Sequence, residues 1–287
     1  MRMLASLYIA AMVAVPAWAQ ENYPDASRIV SVGGSVTEII YALGAQDRVI
    51  ARDTTSNFPP EVTELPDVGY IRSLSPEGAL SVEPDLILAE EGAGPPEAVD
   101  LLKEAGIPYA EMPEAFTAEG VARKIEAVGQ TIGLATESQA LADTFREDMA
   151  VVANRTDAID SPKRVLFILS MQGGRIMASG ADTGADGMIR LAGAVNAVSG
   201  FSGYKPLTDE AISAASPDVI LMMDRGGDHG GTVDQVVSHP AISVTPAGKT
   251  GAVIRMDGLY LLGFGPRTAD AAAQLHDAIY GDANGNG

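Results

Sequence analysis

The feature that most constrains the fold of this chain is an internal repeat. Residues 74–88 (LSPEGALSVEPDLIL) align without a gap on residues 207–221 (LTDEAISAASPDVIL). Just upstream, the dipeptide Gly-Tyr at 69–70 recurs at 203–204, with a shift of one residue. A helix followed by Pro-Asp and a strand is also a common pattern in α/β proteins without any internal repeat. The length of the match nevertheless predicts two similar lobes related by an approximate twofold axis, each with an equivalent helix and loop.

Both halves of the chain alternate short apolar strands with helical or turn segments. The first half has strand patterns at 29–32, 49–52 and 86–89, and the second half has them at 164–170 and 218–222. This alternation predicts an α/β fold in which each lobe has a central, mainly parallel sheet.

The helix after the first strand has a clear start and stop signal. Ser35 lies three residues before Glu38, which is the spacing of a capping box, and Gly44 supplies a typical helix end. In the second half, a helix is expected around residues 187–192.

A longer helix is predicted between the halves. Residues 136–159 place apolar side chains along one helical face, at Leu141, Phe145, Met149, Val152 and Ile159. Such a helix would span ~36 Å, enough to reach from one lobe to the other. We therefore expect one long helix to join the lobes, which limits their relative movement to small rocking.

The amino terminus has the pattern of an export signal. Residues 1–19 contain one early Arg, a short apolar run and a final Ala-Trp-Ala, and the run is shorter than a membrane span. We expect cleavage near Ala19 and a location in the periplasm. The predicted organisation is a signal peptide, an N-terminal lobe, an interlobe helix, a C-terminal lobe and a disordered tail, at 1–19, 20–135, 136–160, 161–280 and 281–287.

Charge and cysteine content exclude several partners. The chain has 38 acidic and 19 basic residues, a formal charge of −19 and no cysteine. Nucleic acid and anionic membrane surfaces are therefore poor partners. Disulfides, thiolate metal sites and a lipid-anchoring cysteine are excluded by composition.

Three segments resemble the haem-binding substrate-binding proteins of ABC importers. They are residues 67–81 (DVGYIRSLSPEGALS), 203–207 (GYKPL) and 262–267 (LGFGPR). The likeness covers about residues 28–280, and its most specific motif is Gly-Tyr-x-Arg before Leu-Ser. The resemblance implies the class III periplasmic binding protein fold. It also implies a monomer that captures ferric haem b between its lobes and delivers it to an ABC importer permease dimer, without catalysing a reaction.

The resemblance implies that Tyr70 is the axial ligand of the haem iron, because the tyrosine of this motif has that role in the family. Ferric iron stabilises phenolate as a ligand even though a free phenol has a pKa of ~10. Arg72 lies two residues further on. It could favour the anionic oxygen by charge and hydrogen bonding, or bind a propionate.

The second lobe offers further candidates for a flat, apolar ligand with two carboxylates. Lys205 and Arg225 are candidate propionate contacts, and His229 is a possible second axial ligand. His239 and His276 receive no ligand role. Candidate pocket walls are Met171, Met177, Phe201, Met222 and Met223.

The repeat nominates one acid on each lobe for docking. Glu77 aligns with Glu210, and in this class one glutamate on each lobe contacts arginines of the permease. Equivalent positions on two lobes would meet two copies of a permease subunit.

Other functions remain as alternatives. The same fold could carry a ferric siderophore or cobalamin, although the single Trp18 lies in the signal peptide. A zinc or manganese binder would need several histidines, and all three here follow residue 228. A lobed enzyme is disfavoured because the chain has no Gly-x-Ser-x-Gly elbow and no Walker loop.

Overall fold

The computed structural model describes residues 21–224 and 231–281. The predicted signal peptide and residues 282–287 of the predicted tail lie outside the described residues. The strands are β1 (Ile29–Val32), β2 (Val49–Arg52), β3 (Gly69–Tyr70), β4 (Ser73–Leu74), β5 (Leu86–Glu90), β6 (Tyr109–Met112), β7 (Arg164–Gln172), β8 (Arg175–Ser179), β9 (Val195–Asn196), β10 (Tyr204–Leu207), β11 (Val219–Asp224) and β12 (Val253–Asp257).

Helices alternate with these strands, as the sequence predicts. They are α1 (Gly34–Ala42), α2 (Pro76–Ser81), α3 (Pro96–Glu104), α4 (Ala118–Thr131), α5 (Ala135–Thr156), α6 (Gly184–Leu191), α7 (Asp209–Ala215), α8 (Val233–Val237), α9 (Pro240–Ser243), α10 (Pro246–Thr250), α11 (Gly258–Leu262) and α12 (Thr268–Tyr280). Among the described residues, none of these helices combines the length and apolar content that a membrane span requires.

Each lobe is built on its own sheet. In the first lobe, the part of the chain before α5, the strand order is β2-β1-β5-β6 and every pair is parallel. In the second lobe, after α5, the order is β10-β8-β7-β11-β12, with β9 beside β7. Here β7, β9, β11 and β12 are parallel, while β8 and β10 add antiparallel pairs. The predicted two-lobed α/β fold is confirmed.

The repeat is visible in the local structure of both lobes. Ser75 and Thr208 occupy equivalent positions and cap α2 and α7, and each side chain accepts a hydrogen bond from the backbone N–H three residues further on. After each helix, the equivalent residues Glu83 and Ser216 have positive φ angles of 50° and 43°. The sequence match therefore reflects a repeated structural unit.

An aspartate fixes the strand after each of these helices to the first strand of its sheet. The Asp85 side chain accepts a hydrogen bond from the backbone N–H of Arg28 at 2.9 Å, and Asp218 accepts one from Arg164 at 2.8 Å. The backbone N–H of each aspartate donates in return to the carbonyl of the same arginine. This reciprocal pairing explains the Pro-Asp that both repeat units share.

Helix α5 joins the lobes. It packs against α4 of the first lobe and against α6 and α12 of the second. Its buried face includes Phe145, Met149 and Val152 from the predicted stripe, but the helix ends at Thr156 instead of Ile159. The domain boundaries given above remain predictions.

The predicted capping box at α1 is wrong. The N-cap is Gly33, with no side-chain cap, and the Ser35 hydroxyl instead donates to Oε2 of Glu90 at 2.6 Å. Glu38 forms an ion pair with Arg267 of the second lobe. The predicted end is confirmed, because Gly44 has a φ of 72° and its N–H donates to the Tyr41 carbonyl.

Candidate ligand site at the interlobe ends of the sheets

Tyr70 projects from a short hairpin of the first lobe. β3 and β4 pair antiparallel around the two-residue turn Ile71-Arg72. Ile71 and Leu74 are buried, whereas Tyr70 is 51% exposed and Arg72 is also exposed. The hairpin therefore buries its aliphatic side chains and presents the phenol and the guanidinium to solvent.

The loop after β5 holds this hairpin in place. The N–H of Gly94 donates to the Ile71 carbonyl, and the N–H of Leu74 donates to the Gly94 carbonyl, both at 2.8 Å. The Arg72 guanidinium donates to the Gly92 carbonyl. An isolated two-stranded hairpin is marginally stable at best, so these bonds fix the position of Tyr70.

The hairpin lies at the carboxyl end of β2. The N–H of Thr54, two residues beyond that strand, donates to the Gly69 carbonyl at 2.9 Å. In open α/β sheets, ligands bind outside the carboxyl ends of the strands. Tyr70 and Arg72 are therefore together at the edge of the sheet where a ligand is expected.

A cavity of about 510 Å³ lies between the lobes. Asn57 and Phe58 of the first lobe line it, together with Asp257, Tyr260 and Arg267 of the second. Its walls follow β2 and β12, so it too lies at carboxyl strand ends. The Arg267 guanidinium carbon is 3.6 Å from the Phe58 ring centroid and 5.1 Å from that of Tyr260.

An ion pair joins the lobes next to the cavity. Arg267 donates from Nε to Oε2 of Glu38 at 2.8 Å and from Nη2 to Oε1 at 2.6 Å. Burial raises the pKa of the Glu38 carboxyl, and the hydrogen bonds from Arg267 offset part of that rise. Burial alone would lower the pKa of Arg267, but the hydrogen bonds and charge of Glu38 outweigh it and raise that pKa. The sequence carries no local signal for this pair, because Glu38 and Arg267 are 229 residues apart.

The sequence also did not reveal a buried lysine beneath the loop that holds the hairpin. Lys124 on α4 is fully buried, with Nζ 2.5 Å from Glu114, 3.0 Å from the Ser35 hydroxyl and 3.8 Å from Glu90. Burial raises the pKa of Glu114 to about 7, with Lys124 opposing and Glu90 adding to the shift. No local signal marks Lys124, because a lysine in an amphipathic helix usually faces solvent.

The remaining predicted ligand contacts belong to the second lobe. Lys205 is exposed on β10, with Nζ 5.2 Å from the Phe201 ring centroid. Arg225 and His229 lie outside the described residues. The predicted wall residues divide by burial. Met171, Met177 and Phe201 are partly buried, whereas Met222 and Met223 are core residues, so the prediction is wrong for these two.

His239 and His276, which received no ligand role, each contact a backbone carbonyl. His239 Nε2 lies 2.9 Å from the Gly174 carbonyl, and His276 Nδ1 lies 3.1 Å from that of Ala192. Both side chains are buried. These hydrogen-bond contacts account for the burial of both histidines within the fold.

The predicted docking acids occupy equivalent places on the two lobes. Glu77 and Glu210 are both the second residue of their helices, α2 and α7, and both are exposed. A hydrogen bond from its own backbone N–H and one from the Thr208 hydroxyl lower the pKa of Glu210. Each carboxylate lies in the first turn of its helix, where the helix dipole stabilises negative charge.

Comparison with solved structures agrees with this architecture. The chain is similar to the periplasmic haem-binding protein BhuT in complex with two haems, with 40% sequence identity and a TM-score of 0.84. The match covers 88% of this chain and 97% of BhuT. The apo form of the haem-binding protein RhuT from Roseiflexus sp. RS-1 is 38% identical, with a TM-score of 0.85 and coverage of 90% and 99%.

Curated relatives extend the comparison. An uncharacterised ABC transporter substrate-binding lipoprotein, YvrC of Bacillus subtilis, is 29% identical over 90% of this chain and 81% of its own length. The vitamin B12-binding protein of Vibrio parahaemolyticus is 30% identical, but over only 44% of this chain and 45% of its own. The family model described as periplasmic binding protein matches residues 29–259. With most of its length matched by that model, the chain belongs to the periplasmic binding protein family.

Proposed function

We propose that this protein binds ferric haem between its lobes and delivers it to an ABC importer, and that it catalyses no reaction. The observation that carries the proposal is Tyr70, a half-exposed phenol on a hairpin fastened at the carboxyl end of β2. The solved haem-binding relatives, which match nearly the whole chain, support haem as the ligand.

The chemistry of the hairpin suits ferric iron. A phenolate is a hard, anionic donor that prefers ferric over ferrous haem. Arg72, presented by the same hairpin, supplies a permanent positive charge that suits an anionic group of the ligand site. In this proposal Tyr70 is the axial ligand, and Arg72 tunes it or contacts a propionate.

The second lobe completes the proposed site. Lys205 and Arg225 are the proposed propionate contacts, because each can pair its positive charge with a ligand carboxylate. His229 is a possible second axial ligand, and haem b is the proposed form of the cargo.

The proposed partner is a permease dimer at the inner membrane. Glu77 and Glu210, equivalent and exposed in the two lobes, would each contact one permease subunit. Exposed pairs of this kind contribute orientation and encounter rate more than affinity. We further propose a periplasmic monomer, exported by cleavage near Ala19.

A haemin titration tests the proposal. The wild-type protein is expected to develop a Soret band and the charge-transfer absorption of tyrosinate-ligated, high-spin ferric haem. Tyr70→Phe is expected to lose the tyrosinate absorption and to weaken binding at least ~100-fold, since it removes the iron ligand. Tyr23→Phe, whose backbone bonds to Thr131 at the opposite end of the first lobe, is the matched control and is expected to behave as wild type.

Cobalamin is the second candidate because vitamin B12-binding proteins are among the relatives. The partial length of that match makes it the weaker candidate. Parallel titrations with cyanocobalamin and with a ferric siderophore separate the candidates. Tight binding of either one, without binding of haemin, would overturn the haem assignment.

A further inference from the structure

We propose that Glu111 is a positioning residue that acts through Gly92 to fix the Arg72 guanidinium at the turn of the Tyr70 hairpin. This inference rests on the proposed haem function and extends it to a residue that does not touch the ligand. The juxtaposition that carries it is a relay of two hydrogen bonds, from Arg72 to Gly92 and from Gly92 to Glu111.

Gly92 is the centre of this relay. Its carbonyl accepts from the Arg72 guanidinium, and its N–H donates to Oε1 of Glu111 at 3.2 Å. Gly92 has a φ of 76°, and a Cβ built on it would overlap the Arg72 guanidinium. Any other residue at position 92 would therefore be strained and would displace the arginine.

The relay ties an exposed side chain to a regular strand. Glu111 belongs to β6, and the neighbouring Met112 carbonyl accepts from the N–H of Glu91 at 2.9 Å. The loop that accepts the Arg72 hydrogen bond is thus bonded to β6 twice, once at the Met112 backbone carbonyl and once at the Glu111 side chain. A free arginine side chain loses considerable rotamer entropy when it is ordered, so a preformed acceptor lowers the cost of fixing the guanidinium at this hairpin.

The first test uses the ligand-free protein. Glu111→Ala is expected to speed amide hydrogen exchange at Gly92, because it removes the acceptor of that N–H. Glu111→Gln retains an acceptor oxygen and is expected to keep wild-type exchange. Glu104→Ala removes an exposed carboxylate from the end of α3 and controls for loss of one negative charge.

The second test uses haemin as the probe. Glu111→Ala is expected to weaken haemin binding about threefold to tenfold, as the loss of one hydrogen bond does, and to shift the tyrosinate charge-transfer band. Glu111→Gln and Glu104→Ala are expected to match wild type in both. An effect of the lost negative charge alone would appear in Glu111→Gln as well.

A double-mutant cycle tests the link to Arg72. Gly92→Ala and Arg72→Ala are each expected to weaken haemin binding, and the double variant to be no weaker than Arg72→Ala. The inference is overturned if Glu111→Ala and Gly92→Ala leave affinity and spectrum unchanged while Arg72→Ala alters them. Failure of the haem proposal would be distinct, because wild type itself would then bind no haemin or would not depend on Tyr70.

Discussion

The two lobes share a repeat unit but use the Gly-Tyr before it differently. In the first lobe, Tyr70 lies on a hairpin that stands apart from the main sheet. In the second lobe, Tyr204 begins β10, an edge strand of the main sheet that pairs with β8. Tyr70 is 51% exposed, whereas Tyr204 is 38% exposed, with its ring 6.4 Å from that of the buried Phe167. The repeat thus conserves the frame of each lobe, while ligand chemistry can differ between them.

The first helix of each lobe, α1 in the first and α6 after α5 in the second, packs against the other lobe at a glycine. At the start of α1, a Cβ on Gly34 would overlap Leu259 of the second lobe. In α6, a Cβ on Gly187 would overlap Phe116, which precedes α4 of the first lobe. Glycine thus permits close packing between the lobes in both helices.

The largest predicted effect comes from removing the ion pair between Glu38 and Arg267, a contact that differs between the lobes. Counted from the helix starts, Glu38 of α1 corresponds to the apolar Met188 of α6. Arg267→Ala is expected to lower the free energy of unfolding by about 3–5 kcal/mol, because it leaves the buried Glu38 without its partner. Chemical denaturation at pH 7 measures this change.

The control is a double variant. Adding Glu38→Gln to Arg267→Ala removes the unpaired charge and is expected to recover part of the stability. No recovery, or no loss in Arg267→Ala alone, would show that this pair does not hold the lobes together.

A second difference between the lobes is the buried cluster of Lys124, Glu90 and Glu114. Because the folded-state pKa of Glu114 is raised to about 7, its contribution to stability is fully present below its unfolded pKa and is lost as pH rises through 7. Relative to Glu114→Gln, wild type is expected to lose up to ~3 kcal/mol between pH 4 and pH 8. Denaturation curves of both proteins across that range measure the difference. A constant difference would contradict the raised pKa.

The Pro-Asp pairing that both lobes share makes the same kind of prediction for each. Asp85→Ala and Asp218→Ala each remove the acceptor of a backbone N–H, at Arg28 and Arg164 respectively. Each is expected to cost about 1–3 kcal/mol, and the two losses are expected to add in the double variant. The larger loss is expected for Asp85→Ala, because Asp85 also accepts hydrogen bonds from the N–H and hydroxyl of Ser27. Thermal or urea unfolding provides the values. A loss in one lobe alone would show that this pairing does not stabilise both repeat units.

The smallest predicted effect sharpens the comparison of the two tyrosines. Tyr204→Phe keeps the ring against Phe167 and is expected to change haemin affinity less than about threefold, within the range of a single hydrogen bond. Isothermal titration with haemin measures this directly. A loss as large as that of Tyr70→Phe would mean that both lobes supply a phenol to the ligand.

The elements set by local patterns were predictable. The strand at 29–32, the interlobe helix and both repeat units appear where periodicity and the Pro-Asp signals place them. The predicted end of α5 is three residues too late, because Ile159 fits the apolar stripe although the helix ends at Thr156.

The contacts between distant segments were not predictable. Ser35 and Glu38 have capping-box spacing, yet they bond to Glu90 and Arg267, because spacing cannot separate a local partner from one far along the chain. Apolar residues pose the same problem, since Met222 is equally suited to a pocket wall or a core, and it lies in the core. For Tyr70 and Arg72, the motif predicted a shared site, and the hairpin places them together.

The most direct test of the account is a crystal structure of the protein with haemin bound. The account predicts haem iron coordinated by the Tyr70 phenolate oxygen, with the porphyrin between the two lobes. Iron coordinated by another residue, with Tyr70 turned away from the ligand, would contradict it.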